Sequence, residues 1–507
     1  MRGKLAVINT GCAVLQELVG IACAFILPRL VLQAFGSTYN GILSSITQFL
    51  GCAVLLRAGI GGATRAALYG PLARNDLPRI NALMSATVRY MRKVAVLLGL
   101  MILAFACLYP FLVMDEFGWF FSFSLFLIIG ISTFAETLFG ISNLIVLQAN
   151  QQLYVPSLAR IVSTILNTIL SVILIKLGCS IHVVKLGSAA AFCLEPLALH
   201  WYVRHRYRLD TAVAPDNGAI RQRWDAFFHQ IAAFAMGNTG IIVLTAMVSM
   251  SEVSVYSVYN LIATGIRKLV LNFTNGLEAA FGNMMAADGE DVLRTNFRLM
   301  QFIVISVAVV VYSTAFLLIL DFVSLYVRGI TDADYHRPVF AAVLLSAEFF
   351  QCVRQPCQIL VQAGGHYRRT RNGAIAEPIL NIAVSIAAVA AFGLVGVVLG
   401  ALVATVFRTF QFAWFISRHV LSGVLRSLLC DLVLAVADFS LIVLTCRCFA
   451  SHVPTSYVQW AFHAMIVSSV SAGTVLATGL VFHRRECIGL WKKLVRIVHP
   501  GKRECAA

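Results

Sequence analysis

Apolar runs of about twenty residues recur fourteen times along the chain, most of them without a charge at their centre. Such runs cannot all be buried in a water-soluble globule. A helix needs ~20 residues to cross the hydrocarbon core of a bilayer, and within it each backbone N–H and C=O finds its partner in the same segment. The chain is therefore read as an all-α integral membrane protein of about 14 transmembrane helices. Composition agrees: 12% of residues are charged and 59% hydrophobic, where soluble domains carry about 25% charged residues. The spans that matter most below are the second (40 to 64), fourth (119 to 147), eighth (253 to 282) and tenth (339 to 363). The first, 5 to 27, is too long and lacks the small-residue cleavage signature of a removed signal peptide, so it is kept as a helix.

Charge sets the orientation. With both termini cytoplasmic, most of the 39 Lys and Arg fall on the inner side, in groups such as Arg89, Arg92 and Lys93, or Arg368, Arg369 and Arg371. This is the positive-inside bias, and it favours an even number of spans. The net charge of +16 then acts on insertion and on anionic headgroups. No basic stripe with interleaved aromatics stands outside the spans, so no nucleic-acid partner is expected. The 13 cysteines are scattered without zinc-type pairing and are read as small core residues, with no metal and no cofactor. The longest stretch between spans, roughly 204 to 224, leaves no room for a soluble catalytic domain. The chain is not expected to be an enzyme.

An internal repeat gives the organisation. "ILNTILS" at 165 to 171 returns as "ILNIAVS" at 379 to 385, and aligning 145 to 171 with 359 to 385 at a constant offset of 214 gives eight identities in 27 positions. Gln148/Gln362, Asn167/Asn381 and Ser171/Ser385 are the informative ones, since apolar runs match by chance. A period of six helices keeps both halves in one orientation, the parallel type of transporter repeat, with a cavity expected near the midplane. The expected domains are an N-terminal lobe, 1–208, a C-terminal lobe, 209–420, two added helices, 421–483, and a basic amphipathic tail, 484–507. In the tail Trp491, Leu494, Val495 and Val498 share one face, which suits a helix lying on the inner leaflet. Asn167 and Asn381 are read chiefly as packing amides between helices, with direct substrate contact as the alternative.

Ionisable residues inside spans are costly and face a cavity or a partner. The eighth span carries Asn260, Thr264, Lys268, Asn272 and Asn275 at helical spacing, a polar stripe read as lining an aqueous cavity or, alternatively, gripping a partner helix. Arg57 lies 211 residues before Lys268, close to the repeat offset, and is assigned to the cavity or to snorkelling at the inner interface. The tenth span contains "CVRQPC", where Pro356 frees a carbonyl and breaks the helix beside Arg354. Arg354 is expected either to face the cavity or to pair with an intramembrane glutamate. Glu348, Glu377 and Arg408 are set down for charge pairing or ion coupling. Surplus cations beside amides and hydroxyls suit a phosphorylated headgroup carrying sugar.

The stretches "GSTYNGILSSITQFLGCAVLLRAGIGGATRAALYGPLARND" at 36 to 76 and "RQPCQILVQAGGHYRRTRNGAIAEPILNIAVS" at 354 to 385, followed by "FGLVGVVLGALVATVFRTFQF", resemble bacterial polysaccharide-biosynthesis flippases of the multidrug/oligosaccharidyl-lipid/polysaccharide exporter superfamily. The resemblance implies a fourteen-helix exporter in the bacterial inner membrane. It would move undecaprenyl-diphosphate-linked oligosaccharide from the cytoplasmic to the outer leaflet by alternating access. Implied partners are the lipid-linked oligosaccharide, membrane lipids, and a polysaccharide polymerase or other assembly proteins. The rival expectations are a drug or cation antiporter of the same superfamily and a carrier for a soluble anion.

Overall fold

The computed structural model describes residues 2–56, 60–74, 76–207, 213–214, 237–272, 274, 277–287, 289–447 and 454–498. Among them the regular structure is entirely helical. The first nine helices are α1 (Arg2–Phe35), α2 (Ser37–Leu50), α3 (Ala53–Leu56), α4 (Ile60–Arg74), α5 (Leu77–Leu108), α6 (Trp119–Ala135), α7 (Ile141–Ala149), α8 (Tyr154–Lys176) and α9 (Ile181–Tyr207). There follow α10 (Gly237–Met247), α11 (Met250–Asn272), α12 (Leu277–Ala287), α13 (Glu290–Tyr326), α14 (Pro338–Val353), α15 (Gln355–Ala363), α16 (Tyr367–Phe392), α17 (Leu394–His419), α18 (Val424–Arg447), α19 (Tyr457–Phe482) and α20 (Arg484–Val498). Ten helical segments among the described residues are long and apolar enough to cross a membrane. Their outward faces are apolar too: Val96 and Leu100 on α5, Val433 and Val436 on α18, and Leu476 and Leu480 on α19 are exposed. Such surfaces are stable only against lipid.

The chain forms two compact units, Met1–Val258 with Gly329–Ala333, and Tyr259–Arg328 with Asp334–Ala507. In the first, α8 packs on α1 and on α9, and α9 also packs on α6. In the second, α17 is central, packed on α14, α16 and α18, over a core that includes Leu360, Phe412 and Ile416.

The eighth and tenth expected spans are broken and the fourth contains an irregular turn, and these departures are informative. The eighth span was expected to run unbroken from 253 to 282, but α11 stops at Asn272 and α12 starts at Leu277. The intervening sequence, Phe-Thr-Asn-Gly, is rich in turn formers whose side chains compete for backbone hydrogen bonds. The tenth breaks as Pro356 predicts: Arg354 ends α14 and opens α15, in whose first turn the proline costs no hydrogen bond. The fourth contains a π-helical turn, Glu136–Gly140. A Cβ on Gly140 would lie 3.2 Å from Cβ of Pro196, so the glycine admits α9 to this turn. Moved by the 214-residue offset, the π turn falls on Phe350–Arg354, where the tenth span breaks. In the second repeat α17 again reaches the irregular segment, through a hydrogen bond from Thr409 Oγ1 to the Phe350 carbonyl (3.3 Å). The 214-residue offset thus also relates two irregular helical segments, Glu136–Gly140 and the α14–α15 junction.

The repeated asparagines are packing residues. Asn167 is buried and its Oδ1 accepts from Ser188 on α9 and from Ser171 one turn on. Asn381 accepts likewise from Ser385 (3.3 Å), whose hydroxyl also contacts the Val397 carbonyl on α17 (3.0 Å). Gly400 makes room for this: a Cβ there would meet Ser385 Oγ at 2.1 Å. Asn167→Leu is expected to lower stability by about 0.6 to 2 kcal/mol, the range for an interhelical polar contact in a bilayer. Thermal melting in detergent measures it, and an unchanged midpoint would remove the packing role.

Candidate functional site

Four helices of the second unit converge their charges. α11 brings Arg267, α14 brings Glu348 with Arg354 at its end, α16 brings Glu377 and α17 brings Arg408. Arg267 Nη1 donates to both carboxylate oxygens of Glu348, at 3.0 and 2.8 Å. Arg354 Nη1 donates to Glu377 Oε1, and the other oxygen of that carboxylate lies 3.6 Å from Arg408 Nε. Arg408 is held further by the Thr370 carbonyl (3.2 Å) and Gln411 Oε1 (2.6 Å). Its guanidinium lies 4.0 Å from the centroid of the Phe412 ring.

The ion pairs form where they do for local reasons. Arg354 sits at the junction of α14 and α15. Glu377 precedes Pro378 inside α16, and Arg408 is on the α17 face that packs on α16. Glu348, Glu377 and Arg408 are buried, at 8%, 7% and 5% exposure, while the Arg354 side chain keeps 17%. Two carboxylates therefore serve three guanidinium groups. Glu377 is shared between two arginines, so this part of the cluster carries one uncompensated positive charge, and of its two guanidinium groups that of Arg354 is the more exposed, at 17% against 7%.

The sequence-derived residues divide accordingly. Glu348, Glu377 and Arg408 are in ion pairs, one of the two roles set down for them. Arg354 takes its paired alternative, with Glu377. Arg57 and Asn275 lie outside the described residues. On α11, Asn260 and Thr264 are half-buried, and Lys268 and Asn272 are exposed, each engaged by a neighbour. Thr264 spends its hydrogen on the Asn260 carbonyl (2.6 Å) and keeps its lone pairs free to accept. Arg267 is one of the intramembrane cations in the sequence, but no site role is assigned to it there. Its signal was adjacency to Lys268, since neighbouring helical residues diverge by about 100° and two consecutive cations cannot share one face.

Next to this cluster lies an apolar recess of about 290 Å³. Tyr312 and Phe316 of α13, Leu345 and Phe349 of α14, and Leu432 and Phe439 of α18 line it. α14 thus presents a buried carboxylate on one face and an apolar hollow on another.

No family model matches the chain, and no curated protein matches it either. Solved structures do. A lipid II flippase, MurJ, in an inward closed conformation is 13% identical, with a TM-score of 0.72 over 94% of this chain and 99% of that one. An inward-facing multidrug resistance MATE family transporter of the MOP superfamily is 16% identical, with a TM-score of 0.61 over 81% and 98% of the two chains. The Vibrio cholerae MATE transporter VcmN in its bent form is 15% identical, with a TM-score of 0.51 over 85% and 99%. At these identities the likeness is one of fold: the chain is a multi-pass membrane protein built on the same helical architecture as these transporters.

Proposed function

We propose that this protein is a flippase that carries undecaprenyl-diphosphate-linked oligosaccharide from the cytoplasmic to the outer leaflet of a bacterial inner membrane by alternating access. The observation that carries this reading is the surplus cation of the Arg267–Glu348, Arg354–Glu377–Arg408 cluster. A cluster with more guanidinium than carboxylate suits a diphosphate, because arginine binds phosphate oxygens through charge-assisted, often paired hydrogen bonds. The amides and hydroxyl of Asn260, Thr264 and Asn272 suit sugar hydroxyls, which cost about 4 to 8 kcal/mol each when moved bare into hydrocarbon. The apolar recess beside α14 suits a polyprenyl chain. Outward passage of two phosphate charges gains about 4 to 5 kcal/mol per 100 mV of inside-negative potential. Partners in this reading are the lipid-linked sugar, bilayer lipids and the polymerase or assembly proteins that receive the product.

The antiporter reading calls for carboxylates available to a cationic drug or a coupling ion. Glu348 and Glu377 are both committed to arginines, which disfavours it. The deciding measurement is leaflet exchange of a fluorescent lipid-linked oligosaccharide in vesicles containing the protein, under an imposed potential. Exchange is expected with the wild type and at least tenfold slower with Lys268→Ala or Arg354→Ala. Undiminished exchange in both variants would remove these residues from the site, and export of an organic cation without sugar-lipid exchange would replace the reading by the antiporter.

A further inference from the structure

Away from the charge cluster, the ends of α13, α18, α19 and α20 enclose a cavity of about 720 Å³, within the ~300 to 1,000 Å³ typical of small-ligand sites. Its walls carry Arg294, Arg298, Arg426, Arg484 and Arg485. Arg294 and Arg298 stand one turn apart on α13 and so share a face. Only Arg294 is neutralised, by Glu290 at 2.7 Å. Among the described residues, no carboxylate approaches the other four guanidinium groups within ion-pair distance.

Two carboxylates are present, and both are engaged on His483. Asp431 accepts from Gln301 Nε2 (2.6 Å) and lies 3.3 Å from His483 Nε2. Glu486 lies 3.9 Å from His483 Nδ1. Placement of the arginines is the second observation. Arg426 stands in the first turn of α18, and Arg484 and Arg485 open α20. The first turn of a helix carries the positive end of its dipole, the unfavourable end for a cation and the favourable one for an anion. Three exposed arginines are crowded at two such ends, and the carboxylates beside them, Glu486 in the first turn of α20 and Asp431, are shared with His483, so the wall keeps a net positive charge. Phe482, 70% exposed, stands at the rim. Its ring is an apolar surface that acyl chains could cover.

We propose that this cavity binds the phosphate headgroup of an anionic phospholipid, with its acyl chains running past Phe482 into the leaflet on that side. The site is independent of the cargo cluster. Its occupant neutralises the arginine ring and ties α20 to the transmembrane helices α13, α18 and α19.

Cys430 lines the cavity and is exposed, and Cys107, in the other unit, is exposed and serves as an internal control. The test follows alkylation of both thiols by mass spectrometry in the full-length, detergent-solubilised protein. Additions are dioleoyl phosphatidylglycerol, dioleoyl phosphatidylcholine or inorganic phosphate. Phosphatidylglycerol is expected to slow alkylation of Cys430 at least threefold and to leave Cys107 unchanged, while the other two additions leave both thiols unchanged. The double variant Arg426→Gln/Arg484→Gln is expected to need at least tenfold more phosphatidylglycerol for the same protection. Where that variant does not fold, Arg485→Gln alone is expected to weaken protection about threefold. Equal protection by phosphatidylcholine, or undiminished protection in a folded variant, overturns the site. Protection by inorganic phosphate as good as by phosphatidylglycerol overturns the lipid as its source.

Discussion

Glu377→Gln is expected to be among the most destabilising single changes in this protein. The substitution keeps shape and removes one charge, leaving Arg354 and Arg408 with no carboxylate between them. Removing one partner of a buried ion pair costs about 3 to 5 kcal/mol, because the other charge stays buried without compensation. Here two charges are left, and one of them, Arg408, is 5% exposed. Arg408 keeps the Thr370 carbonyl and the Gln411 amide oxygen, neutral acceptors that cannot replace a carboxylate. Arg354 is different, because its side chain is 17% exposed and its long stem can carry the charge toward water.

An ordering follows from that difference. Arg354→Gln leaves Glu377 beside Arg408 and costs much less than Glu377→Gln. Adding Arg408→Met to Glu377→Gln removes the stranded cation, and most of the loss is expected to return, since apolar replacements of buried ion pairs are often neutral or better. Melting followed by tryptophan fluorescence in detergent measures all three. If Glu377→Gln melts with the wild type, Glu377 is not what holds the two arginines. The proposed diphosphate chemistry would then need another origin.

The same cluster shows what the sequence made legible. Pro356 placed the break in the tenth span because a missing N–H is written in the sequence, and the break placed Arg354. The recurrence of Gln, Asn and Ser at one spacing was legible because such residues are costly in hydrocarbon. The Arg267–Glu348 pair was not legible. It joins residues 81 positions apart, and only the rotation of α11 against α14 decides whether Arg267 or Lys268 turns inward. The π turn at Glu136–Gly140 was hidden for a related reason. It lies where Pro196 of α9 packs close to Gly140, a tertiary contact with no local marker. The end of α11 was readable and was missed: Asn-Phe-Thr-Asn-Gly at 272 to 276 is turn chemistry, outweighed in a hydropathy reading by the apolar residues around it.

Gly41→Ala is expected to have an effect of similar size by a different mechanism. Within the first unit, α2 and the start of α11 approach so closely that a Cβ on Gly41 would stand 1.8 Å from the Met250 carbonyl oxygen and 2.7 Å from its carbon. The obstacle is backbone, so no rotamer change relieves it, and the helices must separate. Separation breaks what the approach allows. Asn40 Nδ2 donates to Ser254 Oγ (2.8 Å) and Ser257 Oγ (3.2 Å), and Ser45 and Thr245 share a hydrogen bond of 2.7 Å. At the same ends, Asp332 accepts from the backbone N–H and the hydroxyl of Ser37, and Glu116 from the backbone N–H of Met250. Asn40 and Ser254 are themselves 214 residues apart, the same spacing as Asn167 and Asn381. Overpacking alone costs about 1 to 3 kcal/mol, and loss of the buried polar contacts adds to it. Gly61→Ala is the matched control, because among the described residues no atom of a neighbouring segment lies within 4 Å of a Cβ there. The expected result is a clear fall in melting temperature and folded yield for Gly41→Ala, and at least tenfold slower sugar-lipid exchange in the fraction that folds. Gly61→Ala is expected to match the wild type in all three. If Gly41→Ala matched it as well, the contact between α2 and α11 would have no part in the fold or in transport.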